Sequence, residues 1–216
     1  VTIWRTVNVT LDPRLRTQLM DGSLSRFECT QCSHQTSIDH PLLYHDMQHG
    51  FMIFQLNRED GTQLLMEGIR SLTAAPGAEE LFGSAMADYR MRVVASRNEL
   101  IEKIYVFEDG LDDRMIEMVK SCIWFQIRQQ SRWDTAAVLL YTPRTSKGSD
   151  DALLFTLLDG DGQAYEIPLS DIGGLMNDLS SYLAGQPPPA GWARIDRATG
   201  AELLQAFARW SAGERE

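Results

Sequence analysis

Cys29 and Cys32, in the stretch FECTQCSHQTSIDHPLLYHDMQHG, stand at the spacing with which a tight knuckle offers two thiolates to one metal ion. Residues 27–50 hold two of the three cysteines and all four histidines of the chain. Zinc takes about four such ligands in a closed tetrahedral shell, so the pair is half of a structural site. No other feature limits the fold as much: a knuckle implies a small strand-rich segment stabilised by metal rather than by a core of its own. A self-contained site could recruit His34 or His45. Three protein ligands and one water would be catalytic in style, but nothing is spaced as a general base beside them.

The third cysteine, Cys122, lies in an apolar run, and three unevenly placed thiols do not make a disulfide framework. A reducing, cytoplasmic setting is expected. The start VTIWRTVNVT has neither the basic nor the apolar segment of a secretory signal, and no run of about 18 apolar residues implies a membrane span. With 216 residues, 44% of them hydrophobic, the chain can bury one large core or two small ones. Basic and acidic side chains number 13 and 18 in residues 1–130, then 7 and 12 in 131–216. A nucleic-acid binder lays clustered Lys and Arg along the phosphates, whereas here they are dispersed among more numerous carboxylates, so nucleic acid is disfavoured as a partner.

Alternation over TIWRTVNVTL reads as a strand with Ile3, Val7, Val9 and Leu11 on one face. Asp12-Pro13 then opens a short helix carrying Leu15, Leu19 and Met20 and ending near Gly22. IDHPLLYHD and GFMIFQL are further short strands, with Pro41 confining the first to an edge or an irregular turn. TQLLMEGIRSL and GAEELFGSAMADY are helical candidates parted by Pro76-Gly77, and RMRVVAS is a strand. Ser96 and Glu99 form a capping box ahead of the stripe Leu100, Ile101, Ile104, Tyr105 and Phe107, and Gly110 ends that helix. Asp112 or Asp113 caps a second helix reaching about Gln130. AAVLLYTP, ALLFTLL and QAYEIPLS are strands, the last two joined at Asp159-Gly160-Asp161-Gly162, where tight-turn residues signal a hairpin. Helices follow over IGGLMNDLSSYLA and GAELLQAFARW, parted by a Pro187-Pro188-Pro189 linker and GWARID.

The pieces VNVTLDPRL, Asp21-Gly22-Ser23-Leu24, FECTQCSH, PLLYHDM and NELIEKIYVFEDGLDDR occur in one order across residues 1 to about 120. In these the chain resembles the CpXC domain family of bacterial and archaeal proteins. That resemblance implies an architecture and a structural zinc held by two cysteine pairs, but no reaction. Two departures stand out: Thr30 occupies the position of the family's proline, and Ser33 stands where a zinc-knuckle glycine is common. The family's first pair, which precedes the first strand, is absent, so the other half of the site is expected upstream of Val1. Val1 should then emerge beside Cys29 and Cys32, and no disulfide to Cys122 should form.

Other residues carry simpler readings. Sequence neighbours on a strand point to opposite faces, so His45 and Asp46 should not pair; Tyr44 or His45 is a buried polar anchor, and His40 and His49 are surface residues. Cys122, beside Ile123, Trp124 and Phe125, reads as a core cysteine rather than a nucleophile. Glu99, Glu102, Glu108, Asp109, Asp112 and Asp113 read as helix caps and a solvated face, with Glu99 pairing Lys103 one turn on. Asp159 and Asp161 lack the later ligands of a calcium loop and are turn residues.

The expected fold is therefore α+β: a zinc-ribbon-like, strand-rich N-terminal part, a helical middle and a C-terminal α/β part with an antiparallel hairpin. Its two domains are expected at 1–130 and 131–216. The expected function is that of a non-enzymatic, zinc-stabilised protein-binding or scaffolding protein with metal ligands Cys29 and Cys32. The alternative is a metal-assisted hydrolase around Cys29, Cys32 and His45. Trp124, Trp133 and Trp210 are candidate anchors for a protein partner, with core packing the plainer reading for each. A homo-oligomer is compatible with the sequence, although no symmetric motif argues for one.

Overall fold

The computed structural model describes residues 3–38, 40–56, 89–128, 137–143, 153–170 and 172–213. The helices expected over TQLLMEGIRSL and GAEELFGSAMADY, Trp133 and the position of Val1 lie outside the described residues. The fold is α+β, with mixed and antiparallel sheets alongside helices.

Compactness divides the chain into two units, Val1–Ile101 with Pro189–Arg194, and Glu102–Pro188 with Ile195–Glu216. These units group residues by packing, whereas the division at 130 follows element content. In the first unit, a five-stranded sheet has the order β1 (Thr6–Asn8), β4 (Leu42–Asp46), β5 (Phe51–Gln55), β6 (Arg90–Val94) and β10 (Trp192–Ala193). Only β4 and β5 are antiparallel; the β1–β4, β5–β6 and β6–β10 pairs are parallel. Strand β5 reads FMIFQ, with Phe51, Met52 and Ile53 all buried, as a strand covered on both faces requires. Helix α1 (Arg14–Met20) buries Leu15 and Leu19 and stops at Gly22, whose φ of 76° is open to glycine at little cost.

Two expectations for this sheet are corrected. Strand β1 is three residues long rather than running from 2 to 11, and Leu11 is 78% exposed, because Leu11 N–H turns back to the Asn8 side chain. Strand β4 is interior, which overturns the edge alternative, while Pro41 lies in the irregular segment before the ladder, as the other alternative has it.

The second unit contains most of helix α2 (Arg97–Glu108) and all of α3 (Asp113–Arg128), α4 (Gly173–Ala184) and α5 (Arg197–Ser211). It also holds an antiparallel meander of β7 (Val138–Thr142), β8 (Leu153–Leu158) and β9 (Ala164–Leu169). The expected hairpin is present, with Leu153 opposite Leu169 and Leu158 opposite Ala164. Its turn is held by Asp159, whose carboxylate accepts from the amides of Asp161 and Gln163, and by Gly162 at a φ of 79°. Glu99 N–H donates to the Ser96 hydroxyl as expected, but the Glu99 carboxylate takes Ala95 N–H. Gly110 closes α2 in a Schellman arrangement, its N–H reaching Phe107 O while Leu111 N–H reaches Val106 O.

Candidate functional site: the cysteine knuckle

Strands β2 (Arg26–Glu28) and β3 (Gln35–Ser37) pair antiparallel as a separate two-stranded ribbon, in which only Phe27 is even half-buried. Residues 29–34 form its tip. Cys29 N–H donates to His34 O and Ser33 N–H returns to Cys29 O, each at 2.8 Å. Ser33 takes a φ of 54°, the left-handed conformation that explains why glycine is common at that point of a knuckle. Both Cys29 and Cys32 are exposed, and all three cysteines are free.

The peptide N–H groups of Gln31 and Cys32, with a further hydrogen bond from the Cys32 side chain, hold the Cys29 thiol below its ordinary pKa. Hydrogen bonds to sulfur favour the thiolate, the form that ligates a metal. The donor set thus fits half of a tetrahedral thiolate site. Among the described residues, no group of three or more His, Cys, Asp or Glu side chains could hold a metal ion.

The ribbon's base lies against the start of the first sheet. Ile38 N–H bonds Ser25 O, and the His40 ring sits 3.2 Å from Ile38 O and 2.6 Å from Trp4 O. Leu43 N–H then donates to Arg5 O as parallel pairing of β1 and β4 begins. His40 is therefore a half-buried tether rather than a plain surface residue. Ile3 and Trp4, 48% and 39% exposed, lead into this point.

His45 is not brought to the knuckle. It lies half-buried on β4, 3.5 Å from the Asn8 amide nitrogen and 3.4 Å from the Tyr89 hydroxyl, and burial holds it below the usual imidazole value. The polar-anchor reading suits it, whereas the Cys29, Cys32 and His45 constellation of a hydrolase is not assembled among the described residues. His45 and Asp46 do face apart. Asp46, 3% exposed, accepts instead from Gln48 N–H, His49 N–H and the His49 Nδ1 at 2.7 Å. His49 is exposed but anchored, a pairing that only the β4–β5 turn creates.

The acidic cluster departs furthest from its expected solvated face. Glu102, Asp113 and Glu117 are at most 2% exposed, and Lys103 and Lys120 are buried with them. They alternate in sign along one chain of contacts. Lys120 Nζ lies 2.9 Å from Glu102 and 3.1 Å from Glu117, while Lys103 Nζ lies 3.2 Å from Glu117 and 3.3 Å from Asp113. Tyr141 N–H adds a 2.7 Å bond to Glu102. Lys103 thus turns toward α3 rather than to Glu99. The capping reading holds for Glu99, whose carboxylate takes Ala95 N–H at the start of α2, for Asp112, which accepts Arg114 N–H, and for Asp113 in the first turn of α3, while Asp109 is exposed as expected.

Cys122 is half-buried on α3 rather than fully in the core, and its burial raises the thiol pKa. Its neighbours explain this: Ile123 and Trp124 are buried, while Phe125 is 70% exposed. Trp124 packs beneath the Arg197 guanidinium, 4.5 Å from the ring centre. Trp210 is 41% exposed beside Phe207 and Tyr182.

The profile described as CpXC protein matches residues 1–120. No curated protein and no solved structure matches the chain.

Proposed function

Because the chain belongs to the CpXC family, and because its exposed cysteine pair caps a ribbon with almost nothing buried, we propose a non-enzymatic, zinc-stabilised protein-binding or scaffolding role. The observation that carries this reading is the knuckle itself. Two thiols on one closed turn, one of them held below its ordinary pKa by the neighbouring peptide N–H groups, suit a pair of metal ligands. A three-residue ribbon cannot stabilise itself in water, so metal binding there supplies folding free energy. Cys29 and Cys32 would hold the ion, and its role would be to cross-link the ribbon tip.

Two further ligands are needed to close a tetrahedral shell, and among the described residues no group of three or more candidate side chains supplies them. Exposed Phe125 and Trp210 support a partner-binding surface, and the excess of carboxylates argues against nucleic acid. The reading includes a cytoplasmic location; no described helix is long and apolar enough to cross a membrane.

Metal analysis of the natural full-length protein tests the proposal. About one zinc per chain is expected, lost on replacing Cys29 or Cys32 with serine. Full-length protein without stoichiometric zinc, or zinc retained in both serine variants, would overturn it.

A further inference from the structure

Metal ligation is not the only chemistry open to two exposed thiols on one turn. We propose that Cys29 and Cys32 are a two-electron oxidation site that closes reversibly to an intramolecular disulfide when no metal is bound. The geometry carries this. Both cysteines lie at the ribbon tip, exposed to solvent and three residues apart on one turn. The turn is closed by the Cys29 to His34 and Ser33 to Cys29 hydrogen bonds. Turns of this size bring Cα atoms three residues apart to within about 7 Å, overlapping the range of about 4.4–6.8 Å that a disulfide bridges.

The oxidant is a hydroperoxide, hydrogen peroxide in the simplest case. The Cys29 sulfur attacks one peroxide oxygen, the O–O bond breaks, and water leaves with the thiol proton, giving the sulfenic acid of Cys29. The Cys32 sulfur then attacks that sulfur, the S–O bond breaks, and a second water leaves carrying the Cys32 proton. Two thiols and one hydrogen peroxide become one disulfide and two waters; the sulfurs lose two electrons and the peroxide oxygens gain them. With the resolving thiol three residues away on the same closed turn, ring closure outruns a second oxidation of Cys29. Because zinc needs both sulfurs as thiolates, the disulfide and a bound metal exclude one another. That last consequence rests on the zinc reading above, but the oxidation itself does not.

The test uses the 216-residue chain stripped with a chelator, exposed to hydrogen peroxide, alkylated with N-ethylmaleimide and weighed intact. The expected product is lighter by about 2 Da before alkylation and takes one maleimide, at Cys122, with dithiothreitol restoring three. Peptide mapping should place the link between Cys29 and Cys32, and Cys29→Ser and Cys32→Ser should each abolish it. Three alkylatable thiols after treatment, a gain of about 32 Da at Cys29, or bridges to Cys122 or to a second chain would overturn the proposal. A parallel sample of the natural full-length protein, given zinc first, separates the two readings. Slower closure by at least about tenfold supports both, while unchanged closure leaves the disulfide intact and counts against zinc.

Discussion

Two residues have local demands strong enough to test singly. Ser33 holds a left-handed backbone, which costs a residue with a side chain about 1–2 kcal/mol relative to glycine's freedom there. Ser33→Gly should therefore be neutral or mildly stabilising for the ribbon, whereas Ser33→Val, stiff at its β-carbon, should loosen it by about 1–2 kcal/mol. Amide exchange at Cys29 and Ser33 reads this directly; equal protection in both variants would show that the turn is not conformationally strained. Gly200 makes the opposite demand. A Cβ built there would collide with the backbone oxygen of Glu117 and lie 2.6 Å from its carbonyl carbon, so α5 crosses α3 too closely for any side chain. Gly200→Ala gains about 1 kcal/mol of helix propensity but must push two helices apart. The net expectation is a loss of at least about 2 kcal/mol, seen as a lower midpoint in urea.

The pairing of α2 with α3 through five buried charges governs the pH response of the second unit. Desolvation is the largest influence on both Glu102 and Lys103, but neighbouring carboxylates outweigh it for Lys103 and leave its pKa above the ordinary lysine value. Its contribution is complete below the unfolded lysine value and persists until pH rises through the higher folded one. Glu102 lies above the ordinary carboxylate value because burial outweighs its two lysine neighbours. The folded state then binds that proton more tightly than the unfolded chain, so its contribution falls as pH rises from about 4.3 through the raised value. Replacing Glu102 with Gln should make the destabilisation relative to wild type smaller at the upper end of that window than at the lower. A difference independent of pH would show that Glu102 does not titrate in this way. Lys103→Met leaves two buried carboxylates poorly compensated and should cost about 3–5 kcal/mol. The sequence concealed this chain of charges because helical periodicity marks where side chains lie on one helix, not which charges meet across two. By contrast, the capping serine, the Gly110 stop and the Asp159 turn were legible, since each is set by neighbours within about five residues. The knuckle was legible for the same reason. The approach of Trp4 to His40 and the parallel entry of β1 beside β4 depend on sheet topology, which spacing along the chain does not encode.

The path of the whole chain sets how far it can be shortened. The family match ends at residue 120, yet the segments that complete both packing units come from much later. Strand β10 extends the first unit's sheet beyond β6, with Trp192 edge-on to Phe54 at 6.4 Å. Helix α5 covers α3 where Gly200 meets Glu117, and Arg114 on α3 donates to the carbonyls of Gln186 and Pro187. Residues 1–130 alone would keep the knuckle and its ribbon but lose each of these contacts. The cut would expose the α3 surface around Ile116, Met118 and Val119, all at most 1% exposed in the intact chain, at roughly 1.5–3 kcal/mol for each large apolar side chain returned to water. That loss is comparable with the whole stability of a small domain. Residues 1–130 are therefore expected to bind a dye such as ANS, to lose near-ultraviolet dichroism and to unfold without a sharp transition, while the 216-residue chain unfolds cooperatively. A sharp transition with native-like aromatic dichroism in the shortened chain would show that residues 1–130 fold alone, and that β10 and α5 are additions to a self-sufficient domain.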